Sequence, residues 1–398
     1  MKRVSASLIA IFVCTLIFAQ PLVRVAPEKV GMDPLRLANA DRIIENSIEK
    51  GEIPGAVLAV VRDGKMVYIK SYGNKRVYPT IEKMEISTIF DLASVSKPVG
   101  CAISIMQLVE QGRVRLTDNV SMYIDGFKGY QDPETGKTID IRIVDLLTHS
   151  SGLPPYAPAA ELVAKYGSPA PDGLMEYISN CKRDFKPTTK FQYSCLNFIT
   201  LQNVLQNITG LKLEEYSKRN VFEVLGMNST TFNPSQEMFP MIAPTEKQQD
   251  GSVILGEVHD PLARLLNGGN SGNAGVFSTA DDLAILAAAL MNGGAYNGKR
   301  VLGTLTLETM IRVPAEVSNL GRSLGWDNFS SYASNNGNLF TPEKTFGHTG
   351  YTGTSFILDP VSKTAVILLT NRVHPQDKGS VVRLRALVAN AVAGSVIK

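Results

Sequence analysis

Apolar positions along this chain follow two rhythms, and the two chain ends share one plan. Near the start, residues 55–61 (GAVLAVV) and 66–72 (MVYIKSY) are rich in β-branched and aromatic side chains. They meet across Arg62-Asp63-Gly64-Lys65, a tight-turn signal, and so predict a β-hairpin. Near the end, residues 354–358 (TSFIL) and 364–370 (TAVILLT) flank Asp359-Pro360 and predict a second hairpin. A helix is predicted over 33–50: Asp33 caps it, Pro34 suits its first turn, and Leu35, Ile43, Ile44 and Ile48 return at helical spacing. An amphipathic helix is predicted over 380–392. Helix and hairpin at one end, hairpin and helix at the other, pack most simply as one antiparallel sheet built from both chain ends, with the terminal helices on it. The predicted class is α/β. The middle of the chain, from about residue 100 to 277, is expected to be a mainly helical insertion.

Candidate chemistry sits where polar residues interrupt this pattern. Residues 89–112 (IFDLASVSKPVGCAISIMQLVEQG) begin extended and apolar, then become an apolar helix through Val99, Ile103, Met106 and Leu108, closed by Gly112. Ser94 and Lys97 stand at the junction, three apart on one helical face. A serine hydroxyl is a poor nucleophile until a base takes its proton. A lysine does so only as the free amine, the form that burial, a second cation or a helix N-terminus favours. The helix start also offers unpaired N–H groups where an oxyanion can form. The spacing S-x-x-K occurs three times, at Ser47/Lys50, Ser94/Lys97 and Ser179/Lys182, but only Ser94 stands where an extended apolar run turns helical.

Four later stretches carry further candidates. Residues 141–154 (IRIVDLLTHSSGLP) hold His149, Ser150 and Ser151 in a glycine-closed turn, read as structural. Tyr193 opens a helix within FQYSCLNFI; its phenolate is a competent base only if a cation such as Lys97 lowers its pKa. Residues 260–283 are rich in Gly and Asn and read equally as a rigid loop near a cleft or as a plain connector, with Thr279 capping the next helix. Residues 346–354 (FGHTGYTGT) place three glycines before a strand, leaving room for a ligand beside His348, which is expected to carry positive charge or donate a hydrogen bond.

Composition limits partners more than it names them. The first residues, MKRVSASLIAIFVCTLIFAQ, have a basic start, an apolar run over 8–18 too short to span a bilayer comfortably, and Ala19 as a small residue before a cut. We expect a signal peptide over 1–19, one domain over 20–398, and a secreted or cell-envelope protein with no stable membrane span. Cys14 lacks the small preceding residue of a lipid-attachment site. The formal charge of +3 falls to +1 without Lys2 and Arg3, which gives no reason to expect nucleic acid as a partner. Cys101, Cys181 and Cys195 remain, too few and too irregular for a disulfide framework.

Ser94-Val95-Ser96-Lys97, Tyr193-Ser194 and His348-Thr349-Gly350 occur in that order, with LLTHSSGLP and SGNAGVFSTADDLA between them. With the split sheet, this set resembles the penicillin-binding-protein-like serine hydrolases: class C β-lactamases, D-alanyl-D-alanine peptidases and related esterases. The resemblance covers nearly all of the chain after residue 19. It implies a two-subdomain β-lactamase/transpeptidase-like fold, Ser94 as nucleophile, and Lys97 and Tyr193 sharing base and acid work. It implies His348 and Gly350 at the substrate, with His348 helping to bind its carboxylate or the transition state. The oxyanion hole is implied at the N–H groups of Ser94 and Tyr351, with neither metal nor cofactor. Cys195 stands where this family often has asparagine, and a thiol cannot serve a substrate amide as an amide does. His348 stands where lysine is common. Both favour an ester or a cell-wall peptide or amide over efficient β-lactam hydrolysis. The alternative is a penicillin-binding or sensor domain that acylates without turnover. Among rivals, Gly321-Arg322-Ser323-Leu324-Gly325 matches G-x-S-x-G but lacks a following helix. The four histidines, His149, His259, His348 and His374, are never at short ligand spacing.

Overall fold

The structure, a computed structural model, describes residues 21–397; the expected signal peptide lies outside them. Strands β1 (Gly55–Arg62) and β2 (Lys65–Arg76) form the first hairpin, with the short β3 (Glu82–Lys83) beside β2. The first turn is the two-residue type the sequence asks for: Arg62 pairs with Lys65, and Asp63 and Gly64 have φ of 48° and 68°. Strands β4 (Phe90–Asp91), β5 (Thr231–Phe232) and β6 (Val276–Ser278) make a small separate sheet in the order β4-β6-β5. Strands β7 (Phe346–Thr349), β8 (Ser355–Asp359) and β9 (Thr364–Thr370) complete the large sheet, ordered β7-β8-β9-β1-β2-β3 with every pairing antiparallel. The two chain ends thus meet along β1 and β9, from Ala56 opposite Thr370 to Arg62 opposite Thr364.

Both central strands are buried on both faces, which explains their nearly unbroken apolar sequences. Alternation still sorts the side chains. Ala56, Leu58 and Val60 of β1 join Val366 and Leu368 of β9 under the terminal helices. Val57, Ala59 and Val61 join Ala365, Ile367 and Leu369 in the larger core that continues into the helical part.

The terminal helices are α1 (Pro34–Leu37), α2 (Asn39–Glu49) and, at the far end of the chain, residues 382–394. The single helix expected over 33–50 is broken at Ala38. Asp33 caps as expected, accepting from Leu35 N–H at 2.9 Å and Arg36 N–H at 3.3 Å. The face against the sheet is Leu37, Ala40, Ile44 and Ser47, whereas Leu35 is 84% exposed. In the middle of the chain lie α3 (Ile103–Glu110), α4 (Ile143–Leu147) and α5 (Cys195–Thr209). Helix α6 (Ala280–Met291), capped by Thr279 Oγ1, lays its alanine-rich face on β1 and β9. The last helix, α7 (Val382–Gly394), packs on α2. No helix among the described residues is long and apolar enough to cross a membrane.

Candidate active site

Ser94 sits on a tight turn pinned at both ends. Leu92 N–H donates to Val276 O at 2.9 Å, and Val276 N–H donates to Ser96 Oγ at 3.0 Å, so β6 holds the chain before and after the serine. Between them, Ala93 adopts φ +46°, a left-handed conformation that costs an alanine about 1–2 kcal/mol. The buried Asp91 carboxylate holds it there, accepting from Ala93 N–H at 2.8 Å and His259 N–H at 2.7 Å. Strain held by its surroundings directly before a candidate nucleophile is a functional signature. Residues 93–95 form one 3₁₀ turn, and 97–102 widen into a π turn before α3.

That winding turns Lys97 inward, where it is fully buried. Its Nζ donates to Ser94 Oγ at 3.0 Å and to Asn273 O at 2.9 Å, and lies 3.6 Å from Cys195 Sγ. Burial alone would free the amine, as the sequence leads one to expect. The net direction is nevertheless upward: Asp260 opposes burial, and so do Cys195 and Tyr193 once they ionise at high pH. Cys195, expected at the substrate, instead has its sulfur against this amine and lies outside the cavity lining. Burial pushes its thiol pKa up, so it stays neutral near pH 7.

Tyr193 lies in the turn before α5. Lys97 Nζ is 4.9 Å from its ring centroid, and its phenol oxygen is buried without a hydrogen-bond partner among the described residues. Burial raises the phenol pKa, against the pull of Lys97. His149 supports the ring from behind with centroids 4.5 Å apart. Its Nδ1 accepts from Ser194 N–H and Asn197 Nδ2, each at 3.1 Å, and it is held neutral by burial and by Arg322 and Lys97. His149 is thus a buried brace for the Tyr193 turn, as its sequence context suggests.

The end of β7 closes on the same place. Thr352 Oγ1 donates to Asp91 O at 2.8 Å and Thr354 Oγ1 to Leu92 O at 2.9 Å, stitching the turn after β7 to the serine turn. Gly350 makes this approach possible: a Cβ there would meet Thr354 Oγ1 at 2.2 Å and Leu92 O at 2.4 Å. Among the described residues, neither Ser94 N–H nor Tyr351 N–H donates to a protein acceptor. Ser94, Tyr193, Arg322, His348 and Tyr351 line one cavity of about 370 Å³. The Tyr351 side chain is 57% exposed at its rim, its Oη donating to Asp377 Oδ2 at 2.5 Å.

His348 differs from expectation. Its Nδ1 lies 2.9 Å from Thr349 O, and a carbonyl only accepts, so the ring proton sits on Nδ1. Burial, with Arg322 and Lys97 nearby, drives its pKa well below the usual histidine value. The ring is neutral, and Nε2 is a buried lone pair without a partner among the described residues. It neither carries the expected charge nor donates from that edge.

The other candidates are set apart. Lys50 and Lys182, of the two alternative S-x-x-K pairs, are exposed. Ser323 is buried, outside the cavity lining, and followed by a bend rather than a helix. Its neighbour Arg322 is the residue the sequence does not mark. The only signal is an arginine inside an apolar G-x-x-L-G-W segment, which reads equally well as an exposed loop. Arg322 is in fact 1% exposed, and its Nη1 lies 3.3 Å from Asp327 Oδ2.

Comparison with known proteins bears on the family and the fold. The profile of the family described as "Beta-lactamase" matches residues 40–390. A protein of Salmonella gallinarum (strain 287/91 / NCTC 13346), named "Putative D-alanyl-D-alanine carboxypeptidase", is 32% identical over 379 residues, covering 89% of this chain and 87% of that one. Among solved structures, "EstCE1, a hydrolase with promiscuous acyltransferase activity" superposes with a TM-score of 0.72 at 22% identity, covering 90% of this chain and 99% of that one. A penicillin-binding protein homologue from Caulobacter crescentus gives 0.69 at 17% identity, covering 92% and 99%. At such identities the structures speak to the fold. The match over residues 40–390 makes the chain a member of the beta-lactamase family of serine hydrolases, and both solved structures share its fold.

Proposed function

We propose that this protein hydrolyses an ester or a peptide-like amide through an acyl-enzyme on Ser94. The observation that carries this reading is the 3.0 Å contact between Ser94 Oγ and the buried Lys97 Nζ at a cavity wall. In the first step Ser94 Oγ bonds to the substrate carbonyl carbon. Its proton passes to the Lys97–Tyr193 pair, which must first have lost one proton, since both groups are raised. The carbonyl oxygen, now an anion, accepts from Ser94 N–H and Tyr351 N–H. The bond to the leaving group breaks as the pair returns its proton to it. Water then attacks the acyl-enzyme by the reverse proton path, releasing the acid and restoring Ser94.

The carboxypeptidase name carried by the Salmonella relative favours cell-wall peptides ending in D-alanine. The neutral His348, which offers no charge to a terminal carboxylate, favours simple esters equally. Export of the mature domain remains the reading of the first 19 residues. The test is release of D-alanine from a D-alanyl-D-alanine peptide, and of nitrophenol from an aryl ester, by wild type and Ser94→Ala. The proposal expects at least one substrate to turn over in the wild type and to fall by about a thousandfold or more in the variant. Equal rates in the two proteins would contradict it.

A further inference from the structure

The two oxyanion donors of the proposed reaction, Ser94 N–H and Tyr351 N–H, lie far apart in the chain, so contacts between distant segments must set their spacing. One buried acid gathers those contacts. The Asp91 carboxylate accepts from Ala93 N–H at 2.8 Å and from His259 N–H at 2.7 Å. Its main-chain carbonyl accepts from Thr352 Oγ1 at 2.8 Å. The serine turn, the turn that carries Tyr351 and the loop that carries His259 therefore meet on one residue.

His259 adds a contact that the main chain does not make. Its ring stacks on the Tyr351 ring, with centroids 5.8 Å apart and planes at 20°. A second edge fixes the rotation of the imidazole: Nε2 is 3.2 Å from Glu246 Oε2, and a carboxylate only accepts, so Nε2 carries the proton. The loop itself is held by Arg264 Nη1, which donates to Val258 O and His259 O at 3.0 Å each. The Tyr351 side chain needs such a hold, because it is 57% exposed at the cavity rim. Its contacts with Asp377 and Arg372 tie it to the segment after β9. The His259 ring ties it to the serine side.

We propose that His259 is a positioning residue of the hydrolytic site, its ring holding Tyr351 at the distance from Ser94 that lets both N–H groups reach one oxyanion. This rests on Ser94 being the nucleophile and on Tyr351 N–H serving the oxyanion. His259 lies outside the cavity lining and acts through Tyr351. Its loss therefore weakens the transition state and leaves substrate binding in place.

His259→Leu keeps bulk without the flat face, and His259→Phe keeps the face. Each is compared with wild type on whichever of the two substrates above turns over, and on its counterpart with sulfur in place of the reacting carbonyl oxygen. Sulfur is larger and a weaker acceptor, so a well-set oxyanion hole discriminates against it. His259→Leu should lower kcat by about tenfold, short of the hundredfold or so that follows loss of a whole donor, with KM within about twofold of wild type. Its oxygen-over-sulfur preference should fall by a similar factor, a change that a smaller folded fraction cannot produce. His259→Phe should recover most of both. In a Tyr351→Ala background, which keeps the N–H and removes the ring, His259→Leu should have no further effect. Urea denaturation checks that each variant is folded under the assay conditions. An oxygen-over-sulfur preference unchanged in His259→Leu, no recovery in His259→Phe, or an equal loss with and without the Tyr351 ring overturns the proposal. Turnover that survives Ser94→Ala overturns the nucleophile instead, and is read without any His259 variant.

Discussion

At the residue scale, the site turns on where one proton is held. Lys97 and Tyr193 are both pushed upward, so the base-competent form of the pair gains population only as pH rises above neutrality. We predict that kcat/KM climbs about tenfold per pH unit through the neutral range, as expected when one deprotonation makes the base. A rate flat from pH 6 to 9 would contradict this. Asp260 contributes through Asn273, whose Nδ2 donates to Asp260 Oδ1 at 3.0 Å while its carbonyl accepts from Lys97. The Asp260 charge raises the Lys97 pKa, so Asp260→Asn should move the rising limb to lower pH; an unmoved limb would remove Asp260 from the account. That Ser94, Lys97 and Tyr193 meet was legible in the sequence because each sits where a pattern changes. Their protonation was not. It depends on Cys195 and Asp260, which are remote from Lys97 in sequence, and the same remoteness hid the burial of Arg322 and the neutrality of His348.

At the scale of elements, the site is a junction between the serine turn and the end of β7. The stitch through Thr352 and Thr354 has room only because residue 350 is glycine. Gly350→Ala should cost about 1–3 kcal/mol, a typical penalty for overpacking, measurable by urea denaturation, and should slow acylation by separating Tyr351 N–H from Ser94. Unchanged stability and rate would mean that the two turns are not coupled. The converse holds at Ala93. Glycine relieves its left-handed strain, and Ala93→Gly should therefore leave stability within about 1 kcal/mol of wild type or above it. A loss of more than about 2 kcal/mol would show that the Ala93 methyl matters more than its backbone. The hairpins were readable because their turns demand particular residues, as Asp63-Gly64 shows. The break at Ala38 was not, because Leu35 fits a helical stripe locally and only packing shows that Leu37 takes the buried place.

At the scale of the whole molecule, the two ends of the chain are one body. Asp33 N–H donates to Ser395 O at 2.7 Å, β1 lies between β2 and β9, and α7 reaches the site through Arg385, which holds Gly350 O at 2.6 Å and Thr354 O at 2.9 Å. The plan of the sheet could be read from the mirrored hairpins, whereas the hold of the last helix on the site depends on a single buried arginine that helical periodicity does not reveal. Every part of this account converges on Ser94, and mass spectrometry after fluorophosphonate treatment tests it most directly. One covalent adduct per wild-type chain is expected, mapped by peptide sequencing to Ser94 and absent from Ser94→Ala. An adduct that persists in Ser94→Ala, or that maps to Ser323, would contradict it.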